Sequence, residues 1–341
     1  MSNQRPNFDK TFCGKLPLHQ TNLIQPHGVL LVVATEDFQV LQASENCTEL
    51  LDIPAQEAVR QRLDAYLPAE DLRMISEKMT ASGGGKLPLT LRFGKEEAEP
   101  YTVFLHQKDH FFILEIELKH YVQNRFSSFV QVFQELKQLI ATVEKAATVE
   151  EVCTVAAREI KALTGFDKVM IYSFDPEWNG TVRAEALEEG MDRYLGLKFP
   201  ASDVPKPARD MYFKNPYRII PNRDYTPVKL YPLLNPVTNT FTNLSDSDLR
   251  SVAAVHIEYL KNMGVTASMS TRIVHEGSLW GLVSCHHRAA RYLSFEECSI
   301  MELLSNILSA RITVLTNGER YRSREALTAS FRSFIESMHR S

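Results

Sequence analysis

Leu249-Arg250-Ser251-Val252-Ala253-Ala254-Val255-His256-Ile257-Glu258-Tyr259-Leu260-Lys261-Asn262-Met263-Gly264-Val265 follows a long proline-bearing connection and leads into the last strands of the chain. Taken singly, its polar residues have ordinary readings: Arg250 is a solvated guanidinium, and His256 is a histidine satisfied within a helix. Its meaning comes from its surroundings. The chain has 341 residues, enough for about two domains of ~150 residues each. Hydrophobic residues make up 44% and charged residues 23%, as in soluble globular proteins. A net charge of -4 offers no basic field for nucleic acid. No apolar run approaches the ~20 residues of a membrane span. Met1–Lys10 has no apolar signal-peptide core, and a cytoplasmic location is the expectation. Cys13, Cys47, Cys153, Cys285 and Cys298 are odd in number and scattered, with no CxxC, so neither a zinc site nor a disulfide framework is indicated.

Outward from that segment, the chain divides into two blocks of strands and helices. His27–Val33, Phe38–Ala43, the alternating Leu87, Leu89, Leu91 and Phe93, the alternating Tyr101, Val103 and Leu105, and His110–Leu118 read as strands. Ser82-Gly83-Gly84-Gly85-Lys86 reads as a turn, because Leu87 stands where a phosphate-binding loop needs Ser or Thr. Phe126, Phe129, Val130, Phe133, Leu136, Ile140 and Val143 build one apolar helix face. A second helix spans Val149–Leu163, with Thr148 and Glu151 as a capping box and Thr164-Gly165 as its stop. Lys168–Phe174 and Gly180–Leu187 are strands, and residues 267–274 and 279–286 form a hairpin turning at Glu276-Gly277. Between them, residues 199–248 carry eight prolines among aromatic and arginine residues, which predicts an ordered, ligand-facing insertion. Ile300, Leu303, Leu304, Ile307, Leu308, Ile312 and Leu315 form the apolar stripe of a last helix, whose polar end reads as a connector.

Four segments, in this order, together resemble the bacteriophytochrome family. They are Cys13 placed eleven positions before Ile24-Gln25-Pro26-His27-Gly28, then Phe199-Pro200-Ala201-Ser202-Asp203-Val204-Pro205, then Leu249–Val265, then Leu279-Trp280-Gly281-Leu282-Val283-Ser284-Cys285-His286-His287. The resemblance covers roughly residues 10–320 and implies an α+β fold, a PAS domain followed by a GAF domain, each with a central antiparallel sheet and flanking helices. It divides the chain into an N-terminal segment with the pigment-linking cysteine (1–22), PAS (23–120), GAF with the pigment pocket (121–317) and a helical connector (318–341). It also implies a figure-eight knot, in which the segment near Ile24 passes through a loop of the GAF insertion.

The ligand so implied is biliverdin, an open-chain tetrapyrrole with apolar rings, pyrrole N–H donors, a ring carbonyl and two propionates. The resemblance assigns its covalent link to Cys13, whose thiolate would add to a vinyl group. Plant-like relatives carry the linking cysteine just before the histidine of the third segment; Val255 stands there in this chain, which favours biliverdin over a more reduced bilin. The Asp203 carbonyl would accept from the pyrrole N–H groups, with His256 in the same proton network. Arg218 and Arg250 would bind the propionates, as a planar guanidinium suits a carboxylate, helped by Ser268 and Ser270 on one strand face. Tyr172, Phe199, Tyr212 and Tyr259 would surround the ring that rotates, His286 would bond its carbonyl, and Met263 joins the pigment-binding set. Cys153, Cys285 and Cys298 are expected to be core thiols. Cys285-His286-His287 makes a poor chelate, because adjacent strand residues point to opposite faces.

The function implied is a red/far-red photoreceptor module signalling along its C-terminal helix to a PHY domain and a histidine kinase; the Ile300–Leu315 stripe serves either a homodimer through the GAF helices or packing against the GAF sheet. His339 lacks a phosphoacceptor pattern, and no HExxH, nucleophile elbow or dinucleotide fingerprint is present, so no enzymatic activity is expected beyond self-attachment of the pigment. Retention of Asp203 implies photoconversion, with a short-lived photoproduct when PHY contacts are missing. The other reading the residues leave open is a PAS–GAF module binding a cyclic nucleotide or haem without a covalent bond.

Overall fold

A computed structural model describes residues 21–81, 85–94, 99–121 and 129–338. Cys13, Ser82–Gly84, Phe126 and His339 lie outside them. In chain order the strands are β1 (Leu23–Ile24), β2 (Gly28–Ala34), β3 (Val40–Ser44), β4 (Lys86–Leu91), β5 (Tyr101–Gln107), β6 (Phe111–Glu117), β7 (Lys168–Phe174), β8 (Gly180–Leu187), β9 (Lys198–Phe199), β10 (Tyr217–Ile220), β11 (Val228–Tyr231), β12 (Ala267–His275) and β13 (Ser278–His287). The helices are α1 (Thr48–Leu51), α2 (Ala55–Ala58), α3 (Ala69–Ala81), α4 (Phe129–Lys145), α5 (Val149–Thr164), α6 (Lys206–Met211), α7 (Ala254–Asn262) and α8 (Phe295–Met338). They fall into two compact units. One comprises Met1–Arg125, Ser202–Met269 and His287–Ser299; the other comprises Phe126–Ala201, Ser270–His286 and Ile300–Ser341.

The sheet of the first unit runs β1-β11-β3-β2-β6-β5-β4. β2 and β6 are apolar almost throughout because both their faces are covered. Val29, Leu31, Val33, Phe112, Leu114 and Ile116 point into a core with Ala55, Ala58 and Ile75 from α2 and α3. The alternate residues Leu30, Val32 and Ile113 point the other way, into a core with Ile24, Leu230, Leu244 and Leu249, as the two-residue period of a strand requires. β3 begins two residues later than its apolar pattern predicts: Phe38 takes φ 60 and closes a turn in which its N–H donates to the Ala34 carbonyl at 3.2 Å.

The insertion is ordered, and part of it does something its composition does not announce. β11 enters the first sheet between β1 and β3, pairing Leu23 with Lys229 and Tyr231 with Ala43. Ile24 is also bridged to Arg250, and the Gln25 N–H donates to the Leu249 carbonyl at 2.7 Å. Residues 23–25 therefore have β11 on one side and Leu249–Arg250 on the other.

The second sheet has six strands in the order β10-β12-β13-β7-β8-β9, and β12 carries the chain from one unit to the other between Met269 and Ser270. α5 buries Val152, Cys153, Ala156, Ala157, Ile160 and Leu163, the stripe that its period predicts. The Thr148 hydroxyl accepts from the Glu151 N–H at 3.2 Å. The Glu151 carboxylate reaches back to the Ala147 N–H at 2.7 Å, one residue beyond the usual capping-box partner. Gly165 ends the helix at φ 64, a conformation that suits a residue without Cβ. Glu276 (φ 49) and Gly277 (φ 75) turn the hairpin between β12 and β13, with both central residues left-handed as a two-residue hairpin favours.

α8 starts on a capping box. The Ser294 hydroxyl accepts from the Glu297 N–H at 3.1 Å, and the Glu297 carboxylate accepts from the Ser294 N–H at 2.8 Å. Glu117 of β6 also accepts from the Phe295 N–H at 2.6 Å. The apolar stripe of α8 divides: Leu304, Leu308 and Ile312 are buried, whereas Leu303 is 48% exposed and Val314 61% exposed. By length and composition Phe295–Arg322 would suffice to cross a membrane, contrary to the reading of the sequence. Its buried residues show that part of this apolarity serves the core.

Candidate functional site

Within the first unit, the ends of two backbone stretches converge on a pair of guanidinium groups. Arg218 projects from β10, where Tyr217, Ile219 and Ile220 are buried. Its Nη2 donates to the Arg250 carbonyl at 2.5 Å and its Nη1 to the Asp248 carbonyl at 3.5 Å. No carboxylate lies within ion-pair distance of Arg218 among the described residues. Burial lowers the affinity of Arg218 for its proton, partly offset by Tyr225 and Asp248. Arg250 is pushed down to about 8, first by burial and then by the positive charge of Arg218. Two half-buried cations that repel one another in this way lower their energy when an anion joins them.

The surrounding residues avoid adding a third cation. His27, which is buried, is lowered to about 4, chiefly by burial. His256 on α7 is lowered to about 4, by burial and then by Arg218. Both imidazoles are thus neutral at pH 7. His256 stacks on Tyr259 with ring centroids 6.0 Å apart. Tyr212 lies close enough to act electrostatically on both arginines. Tyr225, which sequence reasoning missed, does the same, and its hydroxyl accepts from the Val252 N–H at 2.8 Å. Gln25, from the first motif, ties the site together: its side-chain amide donates to the Ile219 carbonyl at 3.1 Å and the Asp248 carbonyl at 3.4 Å.

Of the other residues singled out in the sequence, Asp203, Met263 and Ser268 lie in the same unit. Burial raises the Asp203 carboxyl above its ordinary value. Ser268 is buried and Met263 closes α7. Tyr172, Phe199, Ser270 and His286 belong to the second unit. Tyr172 of β7 packs 6.1 Å from Phe199 and 5.3 Å from Phe174, centroid to centroid. His286 of β13 is buried, with Nε2 3.3 Å from the Ser284 hydroxyl. No group of three or more His, Cys, Asp or Glu able to hold a metal occurs among the described residues.

The Tyr172 ring fills the space above Gly180, so that a Cβ there would fall within the ring. Gly180→Ala is therefore expected to cost about 2 kcal/mol by overpacking. Gly318→Ala, on α8 with nothing within 4 Å of the added atom, is expected to gain about 0.5–1 kcal/mol of helix propensity. Urea unfolding of the two variants measures the contrast, and an equal response would remove the role of Gly180 in seating Tyr172.

The PAS fold family matches residues 13–119 and the GAF domain family residues 148–312. Among curated proteins the chain is 38% identical over 314 residues to cyanobacterial phytochrome B of Nostoc sp., covering 91% of this chain and 41% of that protein. It is 37% identical to the bacteriophytochrome of Pseudomonas aeruginosa, covering 90% and 41%. Among solved structures, the chromophore-binding domain of a bacteriophytochrome from R. palustris superposes with a TM-score of 0.82 at 33% identity, over 90% of this chain and 99% of that one. The chain belongs to the bacteriophytochrome family. The chromophore-binding domain of the Stigmatella aurantiaca bacteriophytochrome also matches, with a TM-score of 0.79 and 35% identity. This bacteriophytochrome chain spans about 41% of the length of the curated relatives named above.

Sequence reasoning did not find the buried carboxylates that support the arginines of this bacteriophytochrome. Asp248 is fully buried and accepts from Asn215 Nδ2 at 2.7 Å and from the Tyr217 hydroxyl and the Lys86 ammonium. Glu115 is fully buried in β6. A signal was present: a carboxylate within Phe111-Phe112-Ile113-Leu114-Glu115-Ile116-Glu117 interrupts an otherwise apolar strand, and such a charge needs a partner.

Proposed function

We propose that this chain is the photosensory part of a red/far-red receptor that holds biliverdin through a thioether from Cys13. The observation that carries the reading is the adjacent Arg218 and Arg250, a site for an anion placed beside neutral histidines and tyrosines. A ligand with two carboxylates on an apolar, conjugated frame suits that combination. By the family resemblance, Asp203, His256, Tyr212, Tyr259, Met263, Ser268, Tyr172, Phe199, Ser270 and His286 are assigned to this ligand. When bound, biliverdin supplies the absorbing π-system and the double bond that light isomerises. Arg218 and Arg250 hold its acid arms, each guanidinium able to offer two parallel N–H donors to a carboxylate. His256, neutral at pH 7, can donate from one ring nitrogen and accept at the other. Cys13 would hold the pigment, its thiolate supplying the sulfur of a thioether to a vinyl carbon while the neighbouring carbon takes up the proton.

The whole protein is assigned a downstream PHY domain, a histidine kinase and a cytoplasmic location. The exposed Leu303 and Val314 on α8 support a homodimer through this helix. Leu308 belongs to the core, so Leu303→Glu is the substitution that weakens the dimer without opening the fold. Adding biliverdin to the purified apoprotein tests the main reading. A red absorbance band that survives denaturation is the expected result. Absence of a band, or colour released entirely by denaturant from the unaltered chain, would favour a non-covalent ligand of another kind.

A further inference from the structure

We propose that Glu115, a residue of the first sheet, is a positioning residue for the Arg218–Arg250 pair. This rests on the reading of that pair as a carboxylate clamp. Glu115 is the fifth of the seven residues of β6 and is fully buried, on the strand face it shares with Ile113. Burying a carboxylate costs several kcal/mol unless its oxygens are satisfied. Both of its oxygens are committed to three consecutive residues, Ser247, Asp248 and Leu249, at the end of the insertion and the start of the next segment. Oε1 accepts from the Ser247 hydroxyl and from the Leu249 N–H at 3.3 Å. Oε2 accepts from the Asp248 N–H at 3.1 Å.

What this turn does next is the reason to assign a role beyond packing. The Ser247 hydroxyl oxygen accepts from the Arg250 N–H at 3.2 Å, so one atom links Glu115 to the backbone of the second arginine. The carbonyls of Asp248 and Arg250 receive the Arg218 guanidinium. The carboxylate therefore sets the turn that carries one arginine and aims the other. The same Oε2 also meets His106, whose Nε2 lies 3.1 Å away. Burial works against a charged His106, but Glu115 and Asp246 raise it to about 9. Asp246 is itself paired with Lys108 at 2.5 Å. Lys108, Asp246, His106 and Glu115 thus form a chain of polar contacts that ends at the turn, with His106 Nδ1 3.7 Å from the Asp246 carboxylate.

Glu115→Gln keeps the shape but turns one acceptor into a donor, which faces either a backbone N–H or the Ser247 hydroxyl. Biliverdin and its dimethyl ester separate positioning from packing, because only the free acid needs the clamp. Equilibrium binding of both is measured by absorbance titration of the full chain carrying Cys13→Ser, so that no covalent bond masks the affinity. Glu115→Gln is expected to weaken biliverdin about tenfold and the diester less than twofold, and Arg218→Gln to show the same selectivity. Selective loss in Arg218→Gln with an equal loss, or none, for the two ligands in Glu115→Gln overturns the positioning role and leaves the clamp standing. Equal behaviour of the two ligands in Arg218→Gln overturns the clamp and this inference with it. Should Glu115→Gln not fold, Ser247→Ala tests the same link, with about a threefold selective loss expected and an unselective one overturning the inference.

Discussion

A Cys13→Ser protein is expected to take up biliverdin and to lose all of it in denaturant. The hydroxyl of serine does not add to a vinyl group at neutral pH, whereas a thiolate does. No other described thiol is placed to substitute. Cys47, Cys153, Cys285 and Cys298 are all buried. Burial raises Cys47 to about 11 and Cys153 to about 12, and it lifts Cys285 and Cys298 further. Each is therefore protonated at pH 7 and shielded from a large electrophile. The effect is all or none in covalent yield, while reversible binding persists because the arginines are untouched. Pigment migrating with the chain on a denaturing gel is the measurement. Colour retained by Cys13→Ser and lost in Cys285→Ser or Cys298→Ser would move the attachment point to the core.

The second large effect is on stability. Lys86→Met is expected to cost about 3 kcal/mol, because it removes the ammonium from a fully buried carboxylate and leaves the charge behind. Lys86 reaches Asp248 from β4, with its ammonium 4.1 Å from the Phe104 ring centroid and 4.2 Å from that of Tyr217. Burial would raise the Asp248 carboxyl, but Lys86, Tyr217 and Asn215 together hold it below its ordinary value. A depressed carboxyl contributes stability that is present above its unfolded value of 3.8 and is lost as the pH falls below it. Without Lys86 the burial effect dominates and the carboxyl rises instead. The deficit of Lys86→Met against the unaltered chain is thus largest at neutral pH and shrinks in acid, where Asp248 protonates. Urea unfolding at pH 7 and pH 5 measures it. The double variant Lys86→Met/Asp248→Leu is expected to recover most of the loss; a double variant no better than the single one would show that the ion pair is not the cause.

Much of the local structure was legible because its causes are local. The β12–β13 hairpin, the Thr148 cap and the Gly165 stop each depend on a few neighbouring residues whose backbone preferences agree with the fold. The Ser294–Glu297 capping box belonged to the same class and was overlooked. The strand Val228–Tyr231 was not legible: its four residues show only the ordinary pattern of a short segment, and its strand character comes from pairing with β1 and β3 far away in sequence. The buried carboxylates were half legible. Glu115 announced itself by interrupting an apolar strand, but nothing near it named Ser247, Asp248 or Leu249 as its partners.

Order and type of most elements, the family, and the residue types of the site follow from sequence alone, since periodicity, caps and motifs are written in contiguous residues. The tertiary structure alone decided which strand completes the first sheet, which thiols are silenced, and that two guanidinium groups share one place. Those outcomes depend on burial and on groups meeting through space, from 32 residues apart for Arg218 and Arg250 to more than a hundred for β1 and β11. Desolvation and Coulomb energy act through space, and no local pattern of residues records them.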